Sequence, residues 1–318
     1  MNCAKLTRRG LVLSLLATPL APALAHGEPT LRDMVSHPML RKICAIPPHH
    51  IDANGGVGVN FDGFRLIEEQ RQGADFIISG LVSNREDWIA TGWKVLDYGL
   101  AHQVEDGGFG KFGSLHSTSL FVEGLARACI LDPHGATPAR VDALRFASHW
   151  LLAPHAADRR QSLPYTHRRY ILAAAMGQSG RVLSDGDLKR AAHAWATEGF
   201  HLQQPDGANP EGGGIDVSYQ MVGVLFACRY YPSCDSPDVR SSLERMVRRA
   251  VGWEAPRIGA TGEIDASGST RIGKESFAGH VKAVNYFEVY QALVYAGQLF
   301  DPSWLEPASR IGQRFHWT

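Results

Sequence analysis

Several scarcities narrow the reading of this 318-residue chain before any motif is considered. Neither sign of charge is in excess, with 32 Lys+Arg against 32 Asp+Glu. That balance speaks against a nucleic-acid binder, because neutralising phosphates takes a clustered basic surplus. The apolar run from Leu11 to Leu16 falls well short of the ~20 residues a membrane-spanning helix needs, and Pro19 and Pro22 interrupt the residues after it. There are only five cysteines, and their spacing does not resemble a zinc site. No spacing of ligand-type residues calls for a metal or a cofactor, so none is expected. What the chain does have is an ordinary core supply: 44% hydrophobic and 20% charged residues exclude disordered and collagen-like classes.

The N-terminus reads as an address. Lys5, Arg8 and Arg9 precede the apolar run, and Ala23-Leu24-Ala25 supplies the small residues that a signal peptidase accepts. Thr7-Arg8-Arg9-Gly10-Leu11-Val12 resembles the twin-arginine export signal. Residues 1–25 are therefore expected to be a cleaved export signal and 26–318 one folded domain, periplasmic or secreted, with no membrane span once the signal is gone. Removing the three leader cations leaves 29 basic against 32 acidic side chains, a formal charge of −3, so any attraction for an acidic ligand has to be local. In an oxidising compartment Cys228 and Cys234 can bridge a helix end to the turn at Pro232-Ser233, while Cys129 sits in an Ala-rich helical context that suits a buried thiol.

Beyond the leader, helix follows helix. Patterns over 64–81, 84–103, 116–131, 137–152, 166–177, 184–203, 216–231, 236–252, 282–299 and 302–313 carry the apolar spacing of amphipathic helices, as with Phe121, Leu125, Ala128 and Cys129. Asp216 and Ser184 stand where N-caps are expected, and Gly177 reads as a stop. A single β signal, a hairpin over 257–272, rests on Gly262, Gly268 and β-branched residues. Gln103-x-x-Asp106-Gly107 and Gln203-x-x-Asp206-Gly207 recur one hundred residues apart, each after a tryptophan, Trp93 or Trp195. Such recurrence implies repeated helical hairpins whose one-sided apolar faces are buried by stacking.

Long helices ending in Gln-x-x-Asp-Gly, followed by a loop and a helix rich in polar and aromatic residues, resemble the (α/α) toroids of polysaccharide lyases, unsaturated-glycan hydrolases and terpenoid cyclases. The stretch from Gln203 to Gln220, with Asp206-Gly207, Glu211 and Tyr219, is similar to the Asp-Gly…Glu…Tyr stretch of heparinase-like and alginate-lyase-like toroids. The resemblance spans residues 60–300 as architecture and this one stretch as motif. No Asp-x-Asp-Asp acid and no Asp-rich magnesium motif is present, which disfavours the cyclase branch. The fold expected is thus all-α, an incomplete barrel of helical hairpins with a small β insertion, and the activity implied is glycan degradation.

Three constellations hold the candidate chemistry. Tyr165-Thr166-His167-Arg168-Arg169 opens a helix, where the helix dipole opposes cations, so a carboxylate bound there by Arg168 or Arg169 would relieve it; the plain alternative is a solvated or ion-paired basic face. His116, at the start of another helix, is placed on the same rim as His167 if the hairpins alternate around a ring. Asn209, Glu211, Asp216 and Tyr219 surround three consecutive glycines that let a ligand approach the backbone, although a Gly-rich turn with a structural cap would look the same. Arg271, Lys282, Asn285 and Tyr286 are secondary candidates, and an Arg271–Glu275 ion pair is an equal reading. Phe109 and the tryptophans are of a type that stacks on sugars or packs in cores. Gly108-x-Gly110-x-x-Gly113 fits a dinucleotide fingerprint only formally, since it follows a helix rather than a strand.

The residue types favour β-elimination on an acidic, uronate-containing polysaccharide. A lyase neutralises the carboxylate, abstracts the C5 proton and protonates the departing O4, for which His116, His167 and Tyr219 are the catalytic candidates and Tyr165, Arg168, Arg169, Asn209, Glu211, Asp216, Arg271, Asn285 and Tyr286 the binding ones. A hydrolase needs two carboxyls, about 5–5.5 Å apart for retention or 6.5–9.5 Å for inversion. Asp106, Asp206, Glu211 and Asp216 are available for it. A glycan-binding protein without turnover is the reading of a different class.

Overall fold

The computed structural model describes residues 30–44, 51–61, 63–153, 160–277 and 280–317. The export signal expected over residues 1–25 lies outside them. Five helical hairpins follow one another: Gln72–Ser83 with Glu86–Leu100, Leu115–Leu131 with Pro138–Leu152, His167–Val182 with Gly186–Leu202, Val217–Tyr230 with Pro237–Glu254, and Tyr286–Leu299 with Leu305–Arg314. The first helix of each pair packs on the first helix of the next, forming an inner ring, and the second helices lie outside. The result is the expected (α/α) toroid of hairpins.

Burial separates the two rings. Of Val217–Tyr230 nearly every side chain is buried, whereas Gly186–Leu202 buries only a stripe at Leu188, Ala192, Ala196 and Gly199. The outer helices accordingly carry the amphipathic pattern, and the inner ones are buried on nearly every side, polar residues such as Glu123, Arg127 and Gln178 included. One apolar cluster runs from Leu31 to Ile311. Helix starts follow their caps: Thr137 and Ser236 each cap a helix with proline at its first position, and Ser114 and Ser117 form a reciprocal capping box.

Because each outer helix returns the chain, the inner helices all point the same way. Their N-terminal ends share one mouth, reached by the long connections 101–114, 153–166, 203–216 and 255–285, while the opposite end has short ones such as 84–85 and 183–185. Between the first and fifth hairpins the ring is closed by residues 31–44. Tyr290 donates its hydroxyl to the carbonyl of Met39 at 2.6 Å, and Gln298 donates to that of Met34 at 3.1 Å.

The Asp-Gly repeat is a turn, and two further turns of the same form, Asn54-Gly55 and Thr261-Gly262, occur among the described residues. Gly55, Gly107, Gly207 and Gly262 have φ of 102°, 91°, 100° and 76°. In each the glycine N–H donates three residues back, to Asp52, Val104, Gln204 and Gly259. A Cβ on these glycines would strike the carbonyl oxygens of Lys94, Phe146, Arg249 and Arg310, all on outer helices. In two copies the preceding glutamine reinforces the dock: Gln103 donates to Gly107 and Ala143 carbonyls at 3.0 and 3.1 Å, and Gln203 to Gly207 and Met246 at 3.2 and 3.0 Å.

Four expectations are corrected. Gly177 does not stop a helix; His167–Val182 runs through it because the missing side chain makes room for the Tyr230 ring. Ser184 is a left-handed residue at φ 54°, and the cap is Asp185, which accepts from the N–H groups of Asp187 and Leu188. The small β insertion is present a few residues later than expected, as the strand pair Ser276–Phe277 with His280–Val281, while 257–272 forms turns with bridges at Ile258–Ile264 and from Ser269 to Ile215. Cys228 and Cys234 are free thiols, with Cys234 Sγ 3.6 Å from the Ser236 carbonyl.

Candidate active site

Three of the mouth connections are stitched together before they present any side chain. Thr166 donates from its N–H and its hydroxyl to the Pro210 carbonyl at 3.2 and 2.7 Å. Gly212 N–H donates to the Pro164 carbonyl, and Thr270 bonds the carbonyls of Ile215 and Glu211. These links hold 160–166, 203–216 and 265–271 in one surface over the start of the inner helices.

At its centre, Glu211 is fully buried and receives the His167 backbone N–H on one oxygen at 2.8 Å, with the His167 Nδ1 2.7 Å from the other. The Tyr219 ring stacks on His167 with centroids 4.2 Å apart and planes 12° from parallel. His116 meets His167 edge-on at 6.0 Å, and Tyr165 lies 6.1 Å away. Around the two tyrosines stand three cations. The Arg271 guanidinium is 4.1 Å from the Tyr219 centroid and 4.7 Å from that of Tyr165; Arg168 is 4.5 Å from Tyr165; Lys282 Nζ is 3.3 Å from Tyr219. Asp216 caps the Tyr219 N–H at 2.9 Å with one oxygen and holds Ser269 and Lys282 with the other.

Two of the three cations are ion-paired. Lys282 is paired with Asp216 and Arg271 with Glu275, whereas Arg168 has no carboxylate partner among the described residues. Its Nε is buried without a hydrogen bond, as is Nη1 of Arg271. Burial pushes the Glu211 carboxyl up to about 8, which weakens the negative charge it offers the neighbouring cations near neutral pH. Glu68 and Glu211 act on Arg168 only from beyond ion-pair distance, and its Nη1 reaches the Gln161 carbonyl and Ser162 Oγ at 3.5 and 3.4 Å. Burial, and then the Arg168 charge, hold His116 and His167 well below the ordinary histidine value, so both imidazoles are neutral. Burial raises the Tyr219 phenol, against the pull of Arg271, and keeps it protonated. His116 Nδ1 is buried and has no hydrogen-bond partner.

Of the residues singled out in the sequence, the fold brings together His116, Tyr165, His167, Arg168, Glu211, Asp216, Tyr219 and Arg271. Others go elsewhere. Arg169 turns away, 100° round the helix from Arg168, to Glu198 at 3.0 Å and to the carbonyls of Ser162 and Tyr165. Asn209 is sealed below the surface at 1% exposure. Asn285 caps the fifth inner helix, and Tyr286 packs on Phe315 while accepting from Ile264 N–H. Phe109 is core, edge-on to Phe121, not a sugar platform. Asp106 is spent in its own turn, accepting from Gly108 N–H at 2.8 Å, and Asp206 does the same for Ala208. No group of three or more metal-ligating side chains occurs among the described residues.

Sequence reasoning missed Arg71, Glu123, Arg127 and Arg229. Arg127 is 1% exposed and joins Glu123 at 3.1 Å and Asp75 at 3.0 Å, Arg229 approaches Glu123 at 3.6 Å, and Arg71 pairs with Glu288 at 3.1 Å. Only the i,i+4 spacing of Glu123 and Arg127 carried a signal.

No family model and no curated protein matches this chain. Among solved structures it is similar to unsaturated glucuronyl hydrolase from Bacillus sp. GL1, a protein described as responsible for degrading glycosaminoglycan. The TM-score is 0.55 at 10% identity, over 90% of this chain and 82% of that one. A protein from Actinoplanes gives a TM-score of 0.48 at 17% identity, over 90% and 79% of the two chains. The likeness to the hydrolase is one of fold, and it agrees with the ring of helical hairpins described above.

Proposed function

We propose that this chain is an exported glycan-degrading enzyme that cleaves a uronate-containing polysaccharide by β-elimination at the mouth of the toroid. The observation that carries the reading is Arg168, without an ion-pair partner among the described residues, beside neutral imidazole and protonated phenol. Arg168, with Arg271 and Lys282 behind it, would take the uronate carboxylate and lower the cost of the carbanionic transition state. His116 would remove the C5 proton; that electron pair forms the C4–C5 double bond as the C4–O bond breaks, and Tyr219 gives its proton to the departing oxygen. The Glu211–His167 pair is a positioning device, since it fixes the ring on which Tyr219 rests. The export step rests on Lys5, Arg8, Arg9 and the Ala23-Leu24-Ala25 site, and mass measurement of the mature N-terminus tests it.

A second reading, hydrolysis, is favoured by the fold likeness to a glucuronyl hydrolase. Against it, Asp106, Glu211 and Asp216 each have another engagement. One assay separates the readings. Purified protein is incubated with acidic polysaccharides and with unsaturated uronyl oligosaccharides. Rising ultraviolet absorbance from new conjugated double bonds supports elimination. Loss of that absorbance supports hydrolysis of unsaturated ends, and new reducing ends alone support ordinary hydrolysis. Binding with none of these would leave a glycan-binding protein.

A further inference from the structure

Where residues 31–44 close the ring between the first and fifth hairpins, a cavity of about 450 Å³ lies beside the mouth. That is within the range of small-molecule sites. Its lining divides by origin. The closing segment contributes only apolar groups, Val35, Leu40 and Ile43, whereas the inner helices contribute Phe76 and Phe287 together with Arg127, Arg229, Gln291 and Tyr295. Three arginines, Arg71, Arg127 and Arg229, line it together with three carboxylates, Glu69, Asp75 and Glu288. Each arginine already has a carboxylate, Arg71 with Glu288, Arg127 with Asp75 and Glu123, and Arg229 with Glu123, so the walls hold no unmatched cation. Arg229, 5% exposed, donates to Gln291 Oε1 at 3.1 Å but leaves its buried Nε without a partner. Arg71 borders both regions, since it lines the cavity and its charge also acts on His116.

We propose that this seam cavity binds a neutral, hydroxyl-rich sugar unit of the same glycan whose uronate is held at the mouth. The inference rests on the mouth reading for the identity of the glycan. An anion entering the seam would meet no unmatched cation, whereas hydroxyls can pair with both the arginines and the carboxylates. A sugar hydroxyl donates and accepts at once, and a sugar ring has an apolar face to lay on Phe76 or Phe287.

The test titrates the full chain with cellobiose, N-acetylglucosamine and glucuronic acid, by calorimetry or protein-observed NMR, in low and high salt. Neutral sugars should bind with Kd on the order of millimolar, independent of salt, and be weakened roughly tenfold or more in Phe287→Ala and in the cavity-filling Ser79→Phe. Phe287 is half-buried, so its truncation leaves the inner ring intact if Ser79→Phe fails to fold. Glucuronic acid binding should weaken with salt and in Arg168→Ala. The proposal is overturned if no neutral sugar binds, or if Arg168→Ala removes neutral-sugar binding while Phe287→Ala leaves it. Polysaccharide turnover without neutral-sugar binding would remove the seam site and keep the mouth reading. Neutral-sugar binding lost in Phe287→Ala, without turnover of any polysaccharide, would do the reverse.

Discussion

The mouth and the seam are both built around three basic side chains, yet they face a ligand with different electrostatics. In the seam network Arg71 has Glu288, Arg127 has Glu123 and Asp75, and Arg229 has Glu123 and Gln291. At the mouth the carboxyl that would complete the balance, Glu211, is driven towards its neutral form by burial, and Arg168 is left unmatched. Counting arginines therefore says little about what a site attracts. What decides is whether each guanidinium already has its anion, because a paired charge is a rigid hydrogen-bonding surface and an unpaired one is a vacancy for an acid.

The largest expected effect separates the two regions by chemistry. Tyr219→Phe should lower kcat by roughly 10²–10⁴-fold, as loss of a general acid does, while cellobiose binding in the seam stays as it was. Steady-state turnover on whichever acidic polysaccharide is cleaved measures it, and a change below threefold would show that the phenol is not the proton donor. Glu123→Ala should act through stability. It removes the buried carboxylate that Arg127 and Arg229 share, leaving Arg127 only Asp75, at a cost of about 3–5 kcal/mol in chemical denaturation. A Glu123→Gln variant should recover part of that loss through the remaining hydrogen bonds.

Smaller effects test how each region is held. Gly207→Ala forces a side chain into a left-handed turn pressed against the Arg249 carbonyl, and should cost about 1–3 kcal/mol and lower turnover while seam binding persists. The smallest effect concerns protons. His116 lies well below its ordinary value of 6.5, first through burial and then through Arg168 and other cations including Arg71, so the acid limb of kcat/KM should fall below pH 6.5. Removing a cation favours the protonated imidazole, so Arg71→Gln should move that limb upward. An unmoved or downward-shifted limb would mean that His116 is not the titrating base.

Much of this molecule is readable from its sequence, and the exceptions share a cause. The ten helices stand out because apolar periodicity and their caps agree with the packing, and the Asp-Gly turns because a positive φ leaves a visible demand for glycine. Gly177 misleads because its absent side chain serves the Tyr230 ring, a partner fifty residues away that no local rule reveals. Arg168 and Arg169 are adjacent and chemically equivalent in sequence; only the 100° step between helical neighbours sends one to the mouth and the other to Glu198. The seam is illegible because residues 71, 127, 229 and 291 meet only once the ring closes.

The four glycine turns carry one more implication. Each clamps the chain to the backbone of an outer helix before the polypeptide sets off across the mouth, so the spacing between neighbouring hairpins is settled upstream of the loop itself. The 101–114 and 203–216 crossings are equal in length and the 255–285 crossing is more than twice as long, yet all three return to an inner helix of the same ring. A scaffold anchored in this way can lengthen, shorten or reload one crossing with new side chains while the remainder keeps its shape, which is how a single architecture lends itself to unlike substrates.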